Sequence, residues 1–205
     1  MPVNQWMKLF VLFLMLDAVG RLFAAEPVNI HSIPNDLQVP KVTQEKPQAG
    51  KRVWQQNPGF EQTEITHALY LPSDWVPGKK YPVIMEYPGN GGYSNALNDV
   101  SQGRVQDCKL GFGLSAGKGM IWVSLPFVDP RTGKHTIKWW GDPDATADYC
   151  RQTVARICRE FGGDLSMCFS PASPGVRSPA IISACATIKL QLSGKACCPT
   201  ATMMA

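Results

Sequence analysis

From Met167 to Ala205 the chain carries no acidic residue, and after Phe169 no aromatic one. This break constrains the fold more than any other feature. Beyond it no stretch keeps a period of 2 or 3.6 that would set an apolar face against a core. Whatever folds must be assembled from the residues ahead of it. Arg177, Lys189 and Lys195 lie in this tail and supply three of the chain's four net positive charges. The rest is close to neutral, so no basic face is expected to hold a phosphate backbone, and nucleic acid is not an expected partner.

At the other end, Lys8 precedes an apolar run, Leu9 to Leu16, followed by small residues ending at Ala24-Ala25. That is the build of a cleavable signal peptide over residues 1–25. The run is far short of the roughly 20 residues a spanning helix needs. A longer anchor reaching Phe23 would carry Asp17 and Arg21 into the membrane. The expected location is therefore secreted or periplasmic, with no membrane contact beyond the signal. Residues 26–53 are polar and proline-spaced and read as a linker or surface arm. In an exported chain seven cysteines suggest at least one disulfide, and the odd count leaves a thiol over. Cys150 and Cys158 sit about 12 Å apart along a predicted helix, too far to bond to each other. Cys108 paired with either, or isolated thiols throughout, both remain open.

Residues 54–166 carry the organised pattern. Glu64–Leu71 alternates and is rich in β-formers. Tyr81–Tyr87 is apolar almost throughout, as strands buried on both faces are. Gly119–Pro126 is a third strand, and residues 95–113 hold a short helix or an irregular crossover. Asp144 is the expected N-cap of a helix running to about Phe161, with Ala147, Val154, Ile157, Cys158 and Phe161 on one face and Gly162-Gly163 as its stop. Strand, crossover, strand, helix is the rhythm of an α/β fold: an open, mostly parallel sheet with helices on both faces, here incomplete.

Few local motifs carry chemistry on their own. Gly113-Leu114-Ser115-Ala116-Gly117 matches G-x-S-x-G literally, but a nucleophile elbow needs a strand before the serine and a helix after it. Ser115 has a strand behind it instead, and a turn is the expected structure. His31, His67 and His135 are isolated and lack metal-ligand spacing, so no metal site is expected. Asp142, Asp144 and Asp148 are explained by helix capping more simply than by calcium. Trp139 and Trp140 fit either a substrate cleft or a cover for the sheet edge. No cofactor is implied.

Four segments carry a resemblance: Asn57-Pro58-Gly59-Phe60-Glu61, His67-Ala68-Leu69-Tyr70-Leu71-Pro72, Glu86-Tyr87-Pro88-Gly89-Asn90-Gly91-Gly92-Tyr93 and Ile121-Trp122-Val123-Ser124-Leu125-Pro126. In this order they resemble secreted α/β-hydrolases related to esterases and polyester depolymerases, over somewhat more than half of the chain. The resemblance implies a serine-type carboxyl-ester hydrolase acting on a small-molecule or polymeric ester. It places the oxyanion hole among Gly89, Asn90, Gly91 and Gly92, with Asn90 or Gly91 as the donor, and it makes Tyr93, Trp139 and Trp140 cleft candidates.

The nucleophile is missing in frame. Ser173-Pro174-Gly175-Val176-Arg177 can be encoded so that a reading one base upstream gives F-S-R-G-A, and codons satisfying the whole tail restore a strand, an elbow and a helix of small residues in hydrolase order. That reconstruction is one choice among those the code permits. The expectation is a one-base frameshift at or just after Ser166, an aberrant, disordered tail over 167–205, and no intact catalytic residue, with the acid and histidine lying beyond Ala205. The rival readings are a non-enzymatic exported domain binding carbohydrate or polymer, and a peptidase of the same fold.

Overall fold

The computed structural model describes residues 36–96, 100–138 and 141–169, the last five as backbone only. In chain order its elements are β1 (Arg52–Gln55), β2 (His67–Tyr70), β3 (Tyr81–Glu86), β4 (Tyr93–Ser94), β5 (Val100–Ser101), α1 (Leu110–Ser115), β6 (Ile121–Ser124), β7 (Phe127–Asp129), β8 (Lys134–Thr136), α2 (Pro143–Glu160) and β9 (Gly163–Phe169). A 3-10 turn at Val105–Asp107 precedes α1. The expected signal peptide and the tail from residue 170 lie outside the described residues.

Five strands form one sheet in the order β1-β2-β6-β3-β9. Its pairings correct the expected open, mostly parallel sheet with helices on both faces. β1 with β2 and β2 with β6 are antiparallel; only β6 with β3 and β3 with β9 are parallel. The reason is in the connections. No helix separates β1 from β2, so the chain doubles back, whereas a parallel pair needs a crossover. Only the two connections that contain α1 and α2 provide one. β4–β5 and β7–β8 are small antiparallel ribbons for the same reason. α2 is a full helix of 18 residues, but α1 has only 6, so among the described residues the second face lacks the helical layer the expectation required.

Period-2 alternation sorts the sheet's side chains into two cores. Val53, Leu69, Val83, Met85, Ile121 and Val123 point to the side where Tyr149, Cys150, Val154 and Ile157 of α2 pack. Tyr70, Ile84 and Trp122 point the other way and meet Phe112 of α1 and Cys108. Each fully buried aliphatic side chain contributes about 1.5–3 kcal/mol. α2 starts earlier than expected: Asp142, not Asp144, is the N-cap, its carboxylate accepting from Ala145 N at 2.9 Å, with Pro143 in the first turn.

Both ends of the sheet depart from the sequence pattern. Arg52 and Val53, assigned to the arm by composition, are buried in β1, and Thr43 pairs alongside Val53. At the opposite edge β9 runs three residues past the composition break. Tyr81 pairs with Gly163 and Pro82 with Asp164, but Val83 pairs with Cys168 and Ile84 with Phe169. Leu165, Ser166 and Met167 are passed over between consecutive rungs, a bulge rare between parallel strands.

Candidate functional site

A cleft of about 330 Å³ opens at the C-terminal end of β3, where ligands bind in open sheets with parallel strands. Glu86 and the loop Tyr87–Gly89 form one wall, and Gln102–Arg104 with Asp107–Leu110 form the other. Gly91 has no room for a side chain, because a Cβ would come within 2.7 Å of the carbonyl oxygens of both Gln102 and Ile137. Its N–H donates to Ile137 O at 2.6 Å, so that amide is taken. Of the four oxyanion candidates Gly89 lines the cleft, Asn90 is half-buried, and Gly92 is exposed with φ +74°. Tyr93 is 52% exposed on β4, its Oη accepting from Asn95 Nδ2 at 3.3 Å, and it does not line this cleft. Trp139 and Trp140 lie outside the described residues.

The best-organised polar group at the cleft is one the motif reading passed over. Glu86 is 6% exposed, and its carboxylate accepts four hydrogen bonds. Oε1 takes Lys109 N and Leu110 N at 3.1 Å, and Oε2 takes Gly111 N and Trp122 Nε1 at 2.8 Å. A negative group therefore satisfies the free amides at the start of α1. With its acceptor sites filled, Glu86 is a positioning group rather than a base. A signal was present: one carboxylate inside the apolar run Tyr81–Tyr87 must find buried partners.

Arg52 completes the arrangement. Its guanidinium lies 4.1 Å from the centre of the Trp122 ring and donates to Gln106 O, Val105 O and Ser124 Oγ at 3.0–3.1 Å. Burial lowers its pKa, opposed by the neighbouring Cys108 and Glu86. Trp122 is thus held at its edge by a carboxylate and on its face by a cation. α1 fits so closely here that a side chain at Gly111 would overlap the indole. Burial, with Glu86 adding to it, pushes the Cys108 thiol up, so this cysteine is not a thiolate nucleophile.

The remaining candidates serve structure. Ser115, expected in a turn, closes α1 instead, its Oγ donating back to Gly111 O at 3.0 Å, and the segment leading into α1 is a 3-10 turn rather than a strand. His67 is buried on the α2 face, its Nδ1 2.9 Å from Tyr149 Oη, and burial pushes its pKa down to about 3. His135 Nε2 accepts from Thr66 N at 2.8 Å. The Asn57–Glu61 segment binds the helix to the sheet: Asn57 Nδ2 donates to Thr153 Oγ1 at 2.7 Å, and Phe60 meets Tyr149 edge-on at 4.9 Å. Cys108, Cys150 and Cys158 are thiols.

Among the described residues no cluster of His, Cys, Asp or Glu could hold a metal ion. No described helix is long and apolar enough to cross a membrane. Compared with family models, curated proteins and solved structures, the chain matches none.

Proposed function

We propose that the chain derives from an exported serine-type carboxyl-ester hydrolase and is itself catalytically incompetent. The observation that carries the reading is the cleft at the C-terminal end of β3, walled on one side by Tyr87–Gly89, which open the glycine-rich loop that the esterase resemblance assigns to the oxyanion. In such a reaction a serine oxygen attacks the ester carbonyl, a histidine takes its proton, and backbone amides stabilise the oxyanion. The described residues offer the loop without its chemistry. Ser115 is bonded back into its helix, and His67 is paired with a tyrosine on the opposite face.

The test begins with the nucleotide sequence across codons 160–205. A frame one base earlier that reads G-F-S-R-G supports the proposal; out-of-frame bases that spell no such elbow overturn it in favour of an exported binding domain. At the protein level, a fluorophosphonate probe should leave the chain as given unlabelled. It should label the restored-frame protein, extended through the frame that follows, at the serine straddling Ser173 and Pro174. Labelling of the given chain at Ser115 would refute the assignment.

A further inference from the structure

A second groove, of about 460 Å³, lies where the arm residues Val39–Val42 run beside β1. The arm is fixed there by backbone hydrogen bonds, Thr43 N to Arg52 O at 3.0 Å and Trp54 N to Thr43 O at 2.9 Å. Val39, Pro40, Val42 and Trp54 give the groove apolar walls. Its charged lining is all of one sign: Lys41 and Lys109, both exposed, and Arg52, which is 2% exposed. No acidic side chain lines it. The Arg52 Nε is buried with no partner, while both terminal nitrogens of the fork are bonded. Glu86, bonded at the edge of Trp122, and Asp107, which does not line the groove, offset part of the Arg52 charge, so the two exposed lysines are the cations a ligand meets.

Cations beside apolar walls select an amphiphilic anion. A compact, fully hydrated phosphate would gain nothing from Trp54 or the arm, and a neutral ring would gain nothing from the lysines. We propose that this groove binds a small organic monocarboxylate, its apolar body against Trp54 and the arm, and its carboxylate facing Lys41, Lys109 and Arg52. The proposal does not rest on the ester-hydrolase reading, since the groove shares only Lys109 with the cleft at β3.

Titration calorimetry of the full chain with benzoate tests it, with benzamide as the neutral isostere and inorganic phosphate as the compact anion. Saturable benzoate binding is expected, with benzamide and phosphate each weaker by roughly tenfold or more, as loss of a charge-assisted contact or of the apolar one requires. Lys41→Gln should weaken benzoate about threefold and K41Q/K109Q about tenfold, more so at low salt. The melting temperature should not change, because both side chains are exposed. Equal binding of benzamide, equal binding of phosphate, no saturable binding, or indifference to Lys41→Gln would each overturn the proposal. Indifference to Lys41→Gln together with sensitivity to Lys109→Gln would place the ligand in the β3 cleft instead.

Discussion

Among the described residues, α2, 18 residues long, lies against one face of the sheet, and α1, 6 residues, lies against the other with the turn before it, Val39 of the arm and Met120. The long helix brings its own apolar stripe, and that core is closed mainly by hydrocarbon. The short helix is well below the length at which helices persist alone. Its first amides are held by Glu86, and its Phe112 packs on Trp122, which Arg52 and Glu86 hold in place. A sheet face without a helical layer can thus be closed by a few buried charged groups, provided their hydrogen-bonding atoms are matched. The difference also predicts how each face fails. The α2 core should lose stability in small steps as side chains are trimmed, and the Trp122 face should fail as a unit.

Trp122→Ala should have the largest effect, about 4–5 kcal/mol by denaturant unfolding, because it leaves a cavity, removes one of the four hydrogen bonds to Glu86 and takes away the ring that Arg52 lies on. If it cost no more than trimming Ile157 to alanine on the α2 side, about 2–4 kcal/mol, the contrast between the faces would fail. Glu86→Gln keeps the shape but turns an amide NH2 toward donors that need an acceptor, and should cost about 2–3 kcal/mol. Its effect should appear first as faster amide exchange at Lys109–Gly111. On the α2 face the sharpest probe is pH. The folded pKa of His67 lies below its unfolded value, so the unfolded chain binds the extra proton. Stability from this group is full above about pH 6.5 and declines toward pH 3, by at most ~1.4 kcal/mol per pH unit. His67→Phe should flatten that slope, and an unchanged slope would assign acid sensitivity elsewhere. Asp142→Ala should have the smallest effect, about 1 kcal/mol, read as fraying of the first turn of α2 with the Trp122 face untouched.

The sheet's middle was legible because periodicity reports burial. β2, β3, β6 and α2 stand close to where alternation and the helical stripe place them. Alternation says nothing of strand direction, however, and the antiparallel half of the sheet begins with the helix-free connection from β1 to β2. β1 was missed because its buried residues follow a polar, proline-spaced arm, and Arg52 is hidden by interactions with groups 53 and 54 positions away. Of the four residues that the resemblance assigns to the oxyanion, Gly89 alone lines the cleft. The tight contacts of Gly91 with Ile137 could not be foreseen, since nothing local couples position 91 to 137.

The interrupted register of β9 bears on the order of events during synthesis. β3 gains its partner β6 within some forty residues of chain, in four unbroken rungs, but its other edge stays open until residue 163 has been made. An apolar strand edge that waits for a late partner is what recruits chaperones or neighbouring chains on the ribosome. Three residues of that partner are passed over in the ladder, so β9 meets β3 in two separate pairs of rungs. A chain altered beyond Ser166 would keep the residues of the first two rungs, Gly163 and Asp164, and would change the two that lie past the interruption, Cys168 and Phe169.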